Sequence, residues 1–108
     1  MYLIKAYVRK ELVCDVVTGL EEIGITRFTA IDTKMIEGKG IDDEEVSTEL
    51  CETYSTMVKV EIICRKEQID PIVEIILKKS STGARGDGII GVSELKKVIR
   101  VRDGKEEN

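Results

Sequence analysis

The sequence has no histidine and no tryptophan, and it contains one phenylalanine and one proline among its 108 residues. Without histidine, the commonest side chain for proton transfer near neutral pH is missing, so a general base would have to be a carboxylate. No serine or cysteine lies in a recognisable nucleophile motif. These absences predict a protein that is not an enzyme and has no catalytic residues.

Cysteine is also sparse, since the sequence has only Cys14, Cys51 and Cys64. These three show no short spacing, and no histidine is present that could complete a zinc site with them. We interpret them as ordinary buried or surface thiols. The acidic run at residues 42–45 lacks the alternate spacing of a calcium loop, so a solvated charged surface is its simpler interpretation. The residues therefore predict no metal site.

Basic runs and long apolar runs are missing as well. The formal net charge is −4, so the overall field of the protein repels nucleic acid. No apolar run approaches the roughly 20 residues of a membrane span, and residues 1–5 lack the features of a signal peptide. We expect a cytoplasmic protein that neither inserts into a membrane nor binds nucleic acid.

What the sequence does contain is a succession of strand and helix patterns built on isoleucine, valine and leucine. Residues 2–8, 28–36 and 58–64 have extended, half-buried patterns that predict strands. An apolar stripe over residues 13–23 predicts a helix that ends at Gly24, and Asp70 is predicted to cap a second helix. Residues 89–92 and 98–102 are predicted to form two short strands.

In order, these elements give β-α-β, a long loop at residues 37–56, a second β-α-β and a short carboxy-terminal strand. This is a ferredoxin-like βαββαβ fold of the α+β class, with helices on one face of an antiparallel sheet. We predict a single domain over residues 1–108, with a modest core. The other face of the sheet needs cover, which oligomerisation could supply. A loop as long as 37–56 is usually functional or disordered.

A glycine-rich segment at residues 82–88 lies between the second helix and the following strand. Three glycines in six positions can turn successive backbone N–H groups toward an anion, which is typical of a phosphate-binding loop. It is not a Walker loop, because it lacks a Gly-Lys-Ser/Thr ending and the helix precedes it. A plain structural turn is the alternative interpretation.

Two arginines, Arg100 and Arg102, stand two residues apart in a predicted strand. Side chains at this spacing point to the same side of a strand, so the pair could form a fork for phosphate oxygens. The planar guanidinium group suits that role because it binds an oxyanion through two hydrogen bonds. Solvated or salt-bridged arginines are the alternative.

Together the two motifs resemble the PII family of nitrogen-regulatory proteins. The resemblance is carried by Thr82-Gly83-Ala84-Arg85-Gly86-Asp87-Gly88 and by Lys97-Val98-Ile99-Arg100-Val101-Arg102-Asp103-Gly104, and residues 22–26 and 58–62 agree with it. It implies a homotrimer with an adenine nucleotide, ATP, ADP or AMP, in the clefts between subunits, where magnesium could accompany it. It also implies that the nucleotide controls a partner protein, such as a membrane transporter, an enzyme or a transcription factor, in nitrogen or carbon metabolism.

The resemblance assigns roles to individual residues. Thr29 and the backbone near Glu61, Ile62, Ile63 and Cys64 would contact the base. The loop residues Thr82, Gly83, Arg85, Gly86, Asp87 and Gly88 would hold the phosphates, and Arg100 and Arg102 would reach in from the adjacent subunit. Residues 37–56 would be the long T-loop that meets the partner, with contacts at Glu37, Gly38, Lys39, Gly40 and Tyr54.

The nucleotide loop departs from the family pattern at two positions. Ala84 and Ile89 stand where the family often has lysine, although Arg85 could compensate for one of the two lost charges. A charge-assisted contact to a phosphate is worth roughly 1.5–3 kcal/mol. We therefore predict weaker discrimination in favour of the triphosphate, with AMP or ADP as plausible ligands.

The T-loop departs further. No glutamine stands near Gly38, Met57 occupies the place of the family's lysine, and Tyr54 is outside the usual context of the modified tyrosine. These differences put 2-oxoglutarate sensing and uridylylation in question. Two other functions are alternatives to nucleotide sensing: a weak nucleotide hydrolase that uses Asp87 or a loop acid, and a metal- or anion-responsive trimer of the same fold that uses the loop acids or Cys51.

Overall fold

The computed structural model describes residues 1–36 and 54–107. Within them, besides short 3-10 turns, the elements run β1 (Tyr2–Arg9), α1 (Val13–Glu22), β2 (Thr29–Ile36), β3 (Tyr54–Cys64), α2 (Ile69–Ser80) and β4 (Ile90–Glu94). The strands form one antiparallel sheet in the order β2-β3-β1-β4. The chain thus has the predicted ferredoxin-like α+β fold.

The core lies between one face of this sheet and the two helices. Alternate residues of β1 and β3 point into it, and each helix contributes residues one turn apart, as the apolar patterns predict. The fully or almost fully buried members are Ile4, Ala6, Val8, Val16, Leu20, Val58, Val60, Ile62, Cys64, Ile72 and Ile76. Burial raises the pKa of the Cys64 thiol, which keeps it in its inert protonated form.

Helix α1 ends as predicted. Gly24 has a φ of +86°, and its N–H donates to Glu21 O at 3.0 Å while Ile25 N–H donates to Leu20 O at 2.9 Å. This pair of bonds is a Schellman motif, which needs a left-handed residue after the helix. The glycine therefore satisfies the last carbonyl groups of α1 and turns the chain toward β2.

Helix α2 begins differently from the prediction, because Asp70 is its second residue and not its cap. A 3-10 turn at Lys66–Gln68 precedes the helix, and the Gln68 side chain accepts the Arg65 backbone N–H at 2.9 Å. This turn begins directly after Arg65 and leads into the helix, which therefore starts at Ile69, before Asp70. Asp70 then lies in the first helical turn, where its charge favours the positive end of the helix dipole.

The predicted strand at residues 98–102 is wrong. In its place the chain doubles back in a tight turn, in which Ile99 bridges Glu106 and Arg100 N–H donates to Lys105 O at 2.9 Å. Gly104, with a φ of +68°, completes the turn. Alternating valine and isoleucine favour an extended chain, but the aspartate and glycine that follow are strong turn formers, and the turn prevails.

The predicted loop at residues 37–56 also ends earlier than expected. Strand β3 starts at Tyr54, which pairs with Ile36, so residues 54–56 belong to the sheet. Residues 37–53 lie outside the described residues, and the predicted partner contacts Glu37, Gly38, Lys39 and Gly40 lie among them. Of the helices that are described, none is both long and apolar enough to cross a membrane.

The face of the sheet opposite the helices carries a mixture of charged and apolar side chains. Lys59 and Glu61 of β3 form an ion pair at 3.3 Å, and Ile31 and Ile63 are about half exposed beside them. This is the face for which the sequence predicts a need for cover.

Candidate functional site

The glycine-rich loop connects the end of α2 to β4 and lies against the end of β1. Gly83 and Gly86 have φ values of +77° and +94°, which glycine adopts without strain. Gly88 has a different constraint, because a Cβ there would lie 1.5 Å from the backbone oxygen of Tyr7. The loop therefore has two left-handed positions and one position of close backbone approach, and each needs glycine.

The carboxylate of Asp87 holds the loop together. Its Oδ1 accepts the Thr82 hydroxyl at 2.6 Å, and its Oδ2 accepts the backbone N–H groups of Thr82 at 2.9 Å and Gly83 at 3.0 Å. The hydrogen bond from the Thr82 hydroxyl is the main reason that the pKa of Asp87 lies well below its ordinary value of 3.8, and the Thr82 N–H and Arg9 lower it further. The contacts of this side chain thus join the start of the loop to its end and to Arg9 of β1.

Arg9, at the end of β1, is a site residue that the sequence patterns do not single out. Its Nε donates to Asp87 Oδ1 at 3.0 Å, and its Nη2 donates to the backbone oxygen of Arg85 at 3.1 Å. The signal lies in the strand pairing. Since Ala6 pairs with Ile90 in the antiparallel β1–β4 ladder, continuing the register by three residues places Arg9 opposite Asp87. A sequence pattern read locally cannot provide that register.

Several backbone donors of the loop remain available to a ligand. Among the residues that the structure describes, the N–H groups of Arg85, Gly86 and Gly88 donate to no carbonyl or side chain, whereas those of Thr82, Gly83, Ala84 and Asp87 do. The available donors lie in the half of the loop beside the Arg9 guanidinium. A cluster of available backbone N–H donors next to a guanidinium group favours the binding of an anion.

A second feature is a groove between the helix-free face of the sheet and the carboxy-terminal turn, which we call the arginine groove. Its volume is about 750 Å³. Apolar surface from Phe28 and Ile63 adjoins the polar side chains of Thr29 and Glu61, which are register partners on β2 and β3. Its charged lining is mainly basic and includes Arg27, Arg65, Arg100 and Arg102.

The predicted nucleotide-binding residues separate into these two places. Residues 82–88 lie beside Tyr7 and Arg9 at the end of β1, whereas the groove reaches Met1, before its start. The eight residues of β1 span about 26 Å at roughly 3.3 Å per residue. One subunit therefore does not bring the loop and the arginine pair together.

Within the groove, the predicted residues differ in what they can offer. The side chains of Thr29, Glu61 and Ile63 line it, but those of Ile62 and Cys64 are buried against the helices on the other face of the sheet. A ligand could meet the last two through their backbone alone. Arg100 and Arg102 line the groove from a turn rather than from the predicted strand. Tyr54, a predicted partner contact, lies at the start of β3.

The alternative functions gain no support from the described residues. The Asp87 oxygens that a hydrolase would use already accept hydrogen bonds from Arg9, Thr82 and Gly83. Within residues 1–36 and 54–107, no group of three or more acids and cysteines is placed to hold a metal ion. The loop acids and Cys51 of the metal-responsive alternative lie outside the described residues.

Comparison with known proteins identifies clear relatives. A family model described as nitrogen regulatory protein P-II matches residues 1–105. A nitrogen regulatory protein P-II of Pasteurella multocida is 33% identical over 104 residues, covering 95% of this chain and 93% of that protein. Nitrogen regulatory protein P-II 1 of Escherichia coli K12 is 34% identical over 95 residues, covering 87% of this chain and 85% of that protein.

A solved structure agrees with these sequence matches. The crystal structure of Arabidopsis thaliana PII bound to citrate resembles this fold with a TM-score of 0.78 and 29% identity. The match covers 98% of this chain and 84% of the plant chain. The similarity therefore extends through both the glycine-rich loop and the arginine groove.

We predict that Gly88→Ala destabilises the protein by about 2 kcal/mol or more, because the new methyl group would collide with the β1 backbone at Tyr7. Gly91→Ala is the matched control, since a Cβ at Gly91 in β4 meets nothing within 4 Å. Urea unfolding of the two variants measures the difference. Equal stabilities would show that the loop does not approach β1 as described.

We also predict that the ionised Asp87 carboxylate stabilises the protein. The pKa of Asp87 is lower in the folded protein than its ordinary value of 3.8, so the stabilisation is complete above that value and is lost as pH falls below it. Asp87→Asn should therefore be less stable than the parent at pH 6, and the gap should narrow below about pH 4. Urea unfolding across this range tests it. A gap that is constant with pH would contradict the prediction.

Proposed function

The chain belongs to the P-II family of nitrogen regulatory proteins, and on this premise we propose that it is a cytoplasmic sensor that binds an adenine nucleotide between the subunits of a homotrimer. The nucleotide would control a partner protein through the T-loop, residues 37–53. The observation that carries the proposal is the division of the predicted binding residues between the glycine-rich loop and the arginine groove. The loop supplies backbone N–H donors, whereas the groove supplies apolar surface and arginine side chains.

The glycine-rich loop suits the phosphates of the ligand. Its available N–H groups, at Arg85, Gly86 and Gly88, would donate to phosphate oxygens, and the exposed Arg85 side chain would add a positive charge. The hydrogen bonds of Asp87 and Arg9 hold this backbone in shape.

The arginine groove suits the base and sugar of the ligand together with a share of the phosphate charge. Phe28 and Ile63 offer apolar contact to a purine ring, and Thr29 and Glu61 offer polar atoms that could orient it. Arg100 and Arg102, which line the groove, would contact the phosphates. The Arabidopsis relative is described as bound to citrate, which supports a small anionic ligand for this fold.

A trimer would unite the two features. Within one subunit they lie toward opposite ends of β1, so one ligand spans both only if the loop of one subunit meets the groove of its neighbour. The face of the sheet that carries the exposed Ile31 and Ile63 would then be covered by neighbouring subunits. This assembly would satisfy the need for cover that the sequence predicts.

The preferred number of phosphates follows from the charges near the loop. Arg9, which the sequence patterns do not single out, lies against the loop, but its positive charge is balanced by Asp87 at 3.0 Å. Ala84 and Ile89 provide no charge where the family often has lysine. We therefore expect ADP or AMP to bind about as well as ATP, with magnesium as an optional companion and without a requirement for 2-oxoglutarate.

The first experiment is isothermal titration of the full chain with AMP, ADP, ATP and a cyclic nucleotide. We expect binding of at least one adenine nucleotide, and we expect Arg100→Ala to weaken it about tenfold or more through loss of a charge-assisted contact. Lys78→Ala, an exposed cation on α2, is the control and should leave affinity unchanged. The absence of binding at millimolar nucleotide would overturn the proposal.

The second experiment tests whether each site is shared between subunits. Arg85→Glu damages the loop half of the site and Arg100→Ala damages the groove half, so every site in either pure variant has one damaged half. Refolding the two variants together should give mixed trimers in which about a quarter of the interfaces have two intact halves. Titration should then detect a fraction of tight sites. If the mixture binds no better than its components, the site is not shared in this way.

A further inference from the structure

Arg100 is held by an ion pair within its own turn. Its Nη2 lies 3.0 Å from Asp103 Oδ2 and its Nε lies 3.4 Å from Asp103 Oδ1, so the carboxylate covers one edge of the guanidinium group. The two residues are three apart and face each other because the chain reverses between them. The bond from Gly104 N–H to Arg100 O, at 2.8 Å, closes this reversal.

Asp103 also takes part in the turn itself. Its Oδ1 accepts the backbone N–H of Lys105 at 2.9 Å, which is a typical way for aspartate to stabilise a turn. The carboxylate is therefore fixed by the backbone and does not depend on Arg100 for its position. The side chains of Arg100 and Asp103 are 37% and 28% exposed, and Arg100 itself lines the groove, so a ligand in the groove could reach the paired guanidinium.

The other arginines of the groove differ from Arg100 in this respect. In the described part of the chain, none of Arg27, Arg65 and Arg102 lies within ion-pair distance of an acid. A guanidinium binds phosphate and carboxylate oxygens alike through paired N–H donors, and Asp103 occupies the Nε/Nη2 pair of Arg100. A phosphate approaching Arg100 thus meets a competing anion already in place.

We propose that Asp103 acts as a built-in competitor of the ligand, which lowers the affinity of the groove for anions by occupying Arg100. The inference rests on the proposed nucleotide site and adds a residue that sets its affinity. A ligand can use the Nε and Nη2 donors of Arg100 only by displacing the Asp103 carboxylate from them, and the cost of this displacement reduces its affinity.

The substitution Asp103→Asn separates the charge of this residue from its role in the turn. The amide oxygen can still accept the Lys105 N–H, so the turn is retained, whereas the negative charge is removed. Exposed ion pairs are weak, so we expect ADP to bind about threefold to tenfold more tightly than to the parent. Glu74→Gln, an exposed charge on α2, is the matched control for net charge and should change affinity little.

The experiment is isothermal titration of ADP into the parent, Asp103→Asn, Arg100→Ala, the double variant and Glu74→Gln. The gain from Asp103→Asn should disappear when Arg100 is also removed, since the competition acts through that side chain. An equal gain in the Arg100→Ala background, or no gain at all while the parent binds ADP, overturns the inference and leaves the proposed function intact. Failure of every protein, the parent included, to bind nucleotide overturns the proposed function and this inference with it.

Discussion

The central position of β1 in the sheet determines the geometry of everything that surrounds it. All eight of its residues pair with β3, and residues 2–6 also pair with β4, so the same strand fixes both registers. A shift of one residue would turn Ile4, Ala6 and Val8 away from the helices, which burial of the core forbids. The same register places Arg9 opposite Asp87 and brings Gly88 against Tyr7. The shape of the glycine-rich loop is therefore a consequence of core packing.

The electrostatics of the loop follow from this placement. The Asp87 carboxylate accepts hydrogen bonds from two backbone N–H groups, a hydroxyl and an arginine. These bonds favour its ionised form, and the pKa of Asp87 is lowered for this reason. Its charge is balanced by Arg9 at the end of β1, so it offers little repulsion to an incoming anion. In this arrangement a nearby acid and a proposed phosphate site are compatible.

The sequence alone predicted the elements that depend on local signals. The structure confirms the alternation in β3, the apolar stripes of the helices and the glycine that ends α1. Burial patterns and helix termination depend on residues that are close together in the sequence. The cap at Asp70 and the strand at residues 98–102 were wrong, since a preceding 3-10 turn and a following Asp-Gly turn overrode the local preference. Arg9 was missed for a different reason. Its partner lies 78 positions away, and the pairing exists only once the sheet has formed.

A site divided between subunits has a thermodynamic consequence beyond recognition. In the proposed trimer, neither the loop nor the groove of an isolated subunit offers the full set of contacts, so a nucleotide binds the assembled form in preference to the separate subunits. By linkage, that preference stabilises assembly by an amount that grows with nucleotide concentration. An acid such as Asp103 that weakens binding also weakens this coupling. The affinity of the groove is thus set jointly by ligand, neighbour and the short turn that holds Arg100, and a single local ion pair can act on the whole assembly.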